Sequence, residues 1–319
     1  MRISRRVFMT GSIATAAGTA PAMPAPPGHA GGAWKPETMH VRINGAMLAM
    51  SSIGPHDGMP LIVLHGGRGF GTHEGVFETY APLAGAFRII GFDMRGHGES
   101  EAVPPFTFAQ MVRDIETIRQ DLCGGRRIVL LGGSFGGMIA LSYAITHPDH
   151  LAALILRGTA PSWHHEIGAL ESFRARASRA PMATEGMLDK LFTPTIENDE
   201  EFRLIMFALA PLYAEDPKSV DLDRLLSHVS RVRYNARVHN DLFADHSYDV
   251  VDRLAAIPCP TLVFCGAQDW ICPPDQSRLI ASRIPHATLE IVADANHGVP
   301  GPVALQLVSR FLEKQGLPG

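Results

Sequence analysis

The stretch "LLGGSFGGMIAL", Leu130–Leu141, sets a serine among glycines, between an apolar run and a helix-like one. Gly132-Gly133-Ser134-Phe135-Gly136 fits the pattern G-x-S-x-G. A strand, a sharp turn and a helix in that order would raise the Ser134 hydroxyl above the edge of a sheet, and the glycines would let the turn pack closely. The N-terminus of the helix that follows favours nearby negative charge. A serine hydroxyl alone is a poor nucleophile. The pattern carries chemistry only if the chain also supplies a base and an acid to orient it.

The sequence around this stretch fits the context. "PLIVLHGG", "FRIIGFDMRG" and "RIVLLG" are short apolar runs that end in glycine, as buried parallel strands do. "TFAQMVRDIETIRQDL" puts Phe108, Met111, Val112, Ile115, Ile118 and Leu122 on one helical face, with Thr107 and Gln110 as a capping box. "LAALILRG" reads as a further strand. Before them, Asn44-Gly45 lies between two alternating runs and predicts a hairpin with a type I′ turn. Strand and helix alternate up to Gly158, which argues an α/β fold with a mostly parallel sheet flanked by helices. Residues 159–253 lack strand signals and read as an inserted helical cap. Strands "TLVFCG" and "TLEIV" then resume, with helices near Gln276–Arg283 and Val303–Leu312. The expected organisation is a core of residues 36–158 and 254–319 interrupted by that cap.

Base and acid appear in the chain order this fold predicts, serine, then acid, then histidine. "LVFCGAQDW" places Asp269 in the loop after one strand, and "EIVADANHGV" places His297 in the loop after the next. Asp275, in "PPDQ", reads as a helix start, and Asp294 is too near His297 in sequence to reach its far side. An oxyanion hole needs amide N–H groups aimed at the developing charge. Phe135 supplies one, and Gly67 of "LHGGRG" is the first candidate for the other, ahead of Arg68. His65 is expected to brace the oxyanion turn and His97 to hold a loop, with Asp93 and Arg95 as loop scaffolding.

These residues resemble the α/β-hydrolase superfamily. "LHGGRGFG", "FDMRGHGES" and "GGSFGGMIAL" look like the branch of proline iminopeptidases and related esterases and lactonases. The resemblance covers roughly residues 37–316 and is weakest in the cap. Iminopeptidases usually read "HGGPG" and carry tryptophan after the nucleophile, whereas here Arg68 and Phe135 stand at those positions. The branch implies cap carboxylates that hold a substrate's free amine. The acids of "IENDEEF" (Glu197, Asp199, Glu200, Glu201) instead suit a helix start behind an Asn198 cap. Phe192, Phe202, Met206, Phe207, Leu212 and Tyr213 either line an apolar pocket or pack the cap, and substrate contacts are expected from Arg68, Phe207 and Trp270. The expected activity is hydrolysis of an ester or lactone of a small, largely apolar substrate by Ser134, Asp269 and His297, without cofactor or metal. The alternative is cleavage of N-terminal proline. A cofactor-free oxygenase or perhydrolase and a hydrolase-like receptor are further alternatives. Aspartate nucleophiles serve the superfamily's dehalogenases and epoxide hydrolases, so Ser134 argues against both.

The 319 residues are 46% hydrophobic and 19% charged with a net charge of −4, a globular mix that offers nucleic acid or an anionic membrane no basic surface. No apolar run reaches the roughly 20 residues of a spanning helix. Arg5-Arg6 precede a short, mildly apolar, small-residue segment, the pattern of a Tat-type export signal over residues 1–35. The expected location is therefore periplasmic or extracellular. Cys123, Cys259, Cys265 and Cys272 have no zinc-site spacing, and at least two are expected to be buried free thiols.

Overall fold

In the computed structural model the described residues are 37–216, 220–244 and 247–318. The expected export signal of residues 1–35 lies outside them. Eight strands form one sheet: β1 (Met39–Ile43), β2 (Ala46–Ile53), β3 (Met59–Leu64), β4 (Phe87–Phe92), β5 (Ile128–Gly133), β6 (Leu151–Arg157), β7 (Thr261–Gly266) and β8 (Ala287–Val292). Their spatial order is β1-β2-β4-β3-β5-β6-β7-β8. β1 and β2 run antiparallel, and the pairs from β4 to β8 are parallel. Asn44 and Gly45 join the first two at φ 44° and 85°, the pair of positive angles a type I′ turn requires.

The period of two along each strand sorts side chains into two layers. Ile62, Leu64, Leu130, Leu154 and Leu156 join the layer beneath α2 (Phe108–Cys123) and α3 (Phe135–Thr146). Leu61, Val63, Val129, Leu131 and Ile155 face the other way, toward α1 (Glu74–Tyr80). Thr107 Oγ1 caps α2 by accepting from the Gln110 N–H at 3.2 Å, a contact worth about 1 kcal/mol. The second half of the expected capping box does not form. The Gln110 side chain donates to Asp114 Oδ1 at 2.8 Å, and Asp114 in turn holds Arg95 through Nε and Nη2 at 2.9 and 2.8 Å.

Between β6 and β7 the chain forms α4 (His165–Arg176), α5 (Glu185–Leu191), α6 (Asp199–Leu209), α7 (Leu222–Arg231) and α8 (Ala236–Phe243). An isolated bridge, Ser162 to Asp249, ties the two ends of this segment together. Phe173, Leu188, Phe202, Ile205 and Leu209 build a separate apolar core within it. Val238 and Leu242 of α8 pack into the core of the sheet, so the helices are anchored over its carboxyl edge. α9 (Pro274–Arg283) and α10 (Gly301–Lys314) complete the fold, α10 on the same layer as α1. All four cysteines are free and buried. No helix among the described residues is long and apolar enough to cross a membrane.

Candidate active site

Ser134 sits between β5 and α3 at φ 54° and ψ −124°, a region non-glycine residues rarely occupy, at a cost of about 1–3 kcal/mol. Close packing on both sides sustains it. A Cβ on Gly132 would stand 2.5 Å from the Gly136 carbonyl carbon and 2.8 Å from the Gly137 nitrogen, so only glycine lets the strand and helix meet there. The Ser134 amide donates to Arg157 O at 2.9 Å, and Thr159 Oγ1 donates to Ser134 O at 2.7 Å. The end of β6 thus holds the turn. Sequence reasoning missed Thr159, although its place just past a strand end was the available signal.

Asp269 follows β7 and His297 follows β8. His297 Nδ1 lies 2.9 Å from Asp269 Oδ2. The other carboxylate oxygen accepts the amides of Ile271 and Cys272 at 3.1 and 2.9 Å, so the carboxylate is locked and, at 1% exposure, dry. Asn296 fixes the next loop to the cap. Its Nδ2 donates to Leu212 O and Ala214 O at 2.8 and 3.2 Å, while its Oδ1 accepts the His297 amide at 2.9 Å. The two rival acids stay away: the Asp275 side chain is 89% exposed beside Arg278, and Asp294 is exposed.

The turn after β3 lies against Ser134. A Cβ on Gly66 would be 3.1 Å from Ser134 Cβ. Gly67 follows at φ 86°, and Phe135 opens α3. Both line the cavity that Ser134 and His297 enter. His65 braces this turn as expected. Its Nδ1 donates to Gly66 O at 2.7 Å and its Nε2 accepts from the Met94 amide at 3.0 Å. His97 holds the same loop by accepting the Gly69 amide at 2.9 Å, with its ring stacked on Phe135. Burial pushes the His97 imidazole down to about 3, so it remains a neutral acceptor. Asp93 and Arg95 are scaffolding: Asp93 Oδ1 accepts His73 Nδ1 at 2.7 Å, and Arg95 pairs with Asp114.

The cavity measures about 980 Å³ between sheet and cap. Arg68 lines it, but Phe207 and Trp270 do not, which corrects two expected contacts. Trp270 is fully buried in the cap core, edge-on to Tyr213 at 5.3 Å between centroids. Phe207 is one residue, and so about 100° of helix, past the cavity-lining Met206, and it packs partly buried on the cap core instead. Phe192 and Tyr213 join Met206 on the wall, while Phe202 and Leu212 are cap core. The acids of "IENDEEF" do not line this cavity. Asn198 Oδ1 caps α6 by accepting the Glu200 and Glu201 amides, Glu200 pairs with Arg203, Glu201 with Lys190, and Asp199 accepts the Ala236 amide at 2.8 Å. His165 and His239 also line the cavity, and no motif or periodicity marks either of them for it.

A mostly parallel eight-stranded sheet with a serine turn after β5, an acid after β7 and a histidine after β8 defines a hydrolase architecture. A family model described as the alpha/beta hydrolase fold matches residues 59–300, and the chain belongs to that family. The chain is 44% identical over 263 residues to the proline iminopeptidase PfmaB of Pestalotiopsis fici, covering 81% of this chain and 92% of the relative. It is 29% identical over 274 residues to a proline iminopeptidase of Xylella fastidiosa, covering 78% and 86%. Among solved structures, an esterase from a Rhodococcus species superposes with a TM-score of 0.67 at 21% identity, over 89% of this chain and 99% of that one. A meta-cleavage product hydrolase from Pseudomonas fluorescens does so at 0.66 and 19%, over 86% and 97%.

Proposed function

We propose that the protein is a serine hydrolase that works through an acyl-enzyme on Ser134. The carrying observation is the 2.9 Å contact of His297 Nδ1 with a locked, buried Asp269, on a histidine that shares its cavity with a strained serine turn. In this reading Asp269 holds His297 in the Nδ1–H tautomer and stabilises its cation. Nε2 takes the Ser134 proton as Oγ attacks the carbonyl, and the Gly67 and Phe135 amides receive the oxyanion. His297 then gives that proton to the leaving group, and water repeats the sequence on the acyl-enzyme. Ser134→Ala should remain folded, lose several orders of magnitude in kcat and resist labelling by a fluorophosphonate. A folded variant with near-native turnover would defeat the mechanism.

The relatives support an N-terminal prolyl residue as the acyl group, which reverses the order of the two substrate readings drawn from sequence. One observation favours the second reading, an ester or lactone. Among the described residues, the carboxylates lining the cavity are Glu74 and Glu78, both exposed, so a substrate ammonium would meet well-solvated, weak partners. Prolyl para-nitroanilide and para-nitrophenyl esters decide between them. Efficient anilide cleavage that is lost when the prolyl amine is acetylated supports the first reading. An ester preference of at least about 100-fold in kcat/KM, or about 2.7 kcal/mol in transition-state stabilisation, supports the second. We further propose export through residues 1–35. Fused to a reporter they should direct it out of a Tat-competent cell, and replacing Arg5 and Arg6 by lysine should stop this.

A further inference from the structure

The cavity over Ser134 has a charge opposite to that of the chain. The protein carries a net −4, yet four arginines (Arg68, Arg157, Arg224 and Arg231) line the cavity against Glu74 and Glu78. Arg224, Arg231 and both glutamates are exposed, whereas Arg68 lies inside, one residue past the oxyanion turn. Its guanidinium is clamped between rings, 3.7 Å from the Phe243 centroid and 5.5 Å from that of Phe135. Aromatic faces orient a cation but leave its N–H groups unused. Nη2 donates to the thioether sulfur of Met138 at 3.5 Å, a weak acceptor, and the buried Nε has no hydrogen-bond partner. A buried, charged donor without an acceptor costs free energy that a bound ligand would recover.

The neighbouring imidazoles do not fill that role. His239 Nδ1 donates to the backbone carbonyl of Arg68 at 3.2 Å, and His165 Nδ1 to Ser162 O at 2.9 Å. Burial, reinforced for both by the Arg68 charge, pushes these rings down to about 3 and about 4, so they stay neutral at physiological pH. Burial also lowers Arg68, to about 10, which leaves it charged. Among the charges acting on it, Glu166 raises it most, against the larger effect of burial.

We propose that Arg68 is a substrate-binding, specificity-determining residue that receives a carboxylate, so that the preferred substrates are acidic rather than neutral. The proposal rests on acyl transfer at Ser134 but not on whether the bond cleaved is amide or ester. An acidic ester meets the requirement, and so does a prolyl dipeptide with a free C-terminus. It explains why arginine stands where the resembling iminopeptidases have proline.

Two matched pairs test it: para-nitrophenyl hydrogen glutarate against para-nitrophenyl pentanoate, and prolylalanine against its C-terminal amide. The acidic member of at least one pair should win by about tenfold or more in kcat/KM, the scale of one charge-assisted hydrogen bond. Arg68→Met should bring that ratio to one or below, and Arg68→Lys should retain part of it. Ratios at or below one in both pairs for the wild type overturn the proposal, as does a preference untouched in a folded Arg68→Met protein. Calorimetry on Ser134→Ala with glutarate monoester separates the two failures. No turnover of any compound, but binding that Arg68→Met abolishes, removes the acyl-transfer reading and leaves the subsite standing. Turnover without acid preference or Arg68-dependent binding removes the subsite alone.

Discussion

Asp269 accepts two backbone amides on one oxygen and the His297 imidazole on the other, so both oxygens of its carboxylate are engaged before any substrate arrives. An amide at this position would turn its NH₂ either toward the Ile271 and Cys272 N–H groups or toward Nδ1–H, and the imidazole would lose its tautomer. Asp269→Asn should therefore lower kcat by about 10⁴ with the protein still folded. Asp275→Asn should leave kcat within twofold, because its side chain is exposed on the first turn of α9. A damaging Asp275→Asn beside a mild Asp269→Asn would show the acid misassigned. Asp269 and His297 were legible because each follows a strand whose apolar run and terminal glycine or short loop mark it in the sequence. Arg68 and Gly67 were legible from the glycine-rich turn. His165, His239 and the rotation that removes Phe207 from the cavity were not, since they depend on how five short helices cross, and periodicity within one helix carries no record of its neighbours.

At the scale of elements, the Ser134 turn is a joint between β5 and α3, and its strain is sustained by contact. The Gly132 position faces the backbone of Gly136 and Gly137, which no side-chain rotation can move aside. Gly132→Ala should cost roughly 1–3 kcal/mol or more, read as a lower urea midpoint with an unchanged slope. It should also lower kcat by displacing Ser134. An alanine variant of native stability and activity would mean that the joint is looser than its packing implies. Long elements carry a clear signal: α2 spans Phe108–Cys123 behind its expected Thr107 cap, and its glycine C-cap at Gly124 has φ 62°. α1 went unread because seven residues hold barely two turns, too few for a 3.6-residue period to emerge. The capping box was half right. Thr107 caps the helix, but the buried Asp114 competes for the Gln110 amide and wins it, a tertiary contact that local sequence does not encode.

At the scale of the whole molecule, cap and sheet meet over a layer of buried imidazoles. His97 accepts the Gly69 amide of the turn after β3, His239 joins α8 to the Arg68 carbonyl, and His165 opens α4 over the cavity. Burial holds His97 and His239 at about 3 and His165 at about 4, against an ordinary value near 6.5. Protonation therefore favours the unfolded chain. Above pH 6.5 neither state binds these protons and stability is indifferent to them. Below it the unfolded chain takes up protons that the folded one refuses, until the folded values near 4 and 3 are reached. Stability is thus lost as pH falls from about 6.5 toward 4, at up to about 1.4 kcal/mol per pH unit for each ring. Lower still, Asp93, held down by His73, gives up its own stabilising charge. Between pH 7 and pH 5 each buried ring should cost on the order of 2 kcal/mol. Thermal melts at pH 7 and pH 5 in matched ionic strength should show Tm falling by many degrees, at roughly 2–4 °C per kcal/mol. If Tm stays level over that interval, these imidazoles exchange protons with solvent in the folded state, and the interface between cap and sheet is wetter than its burial implies.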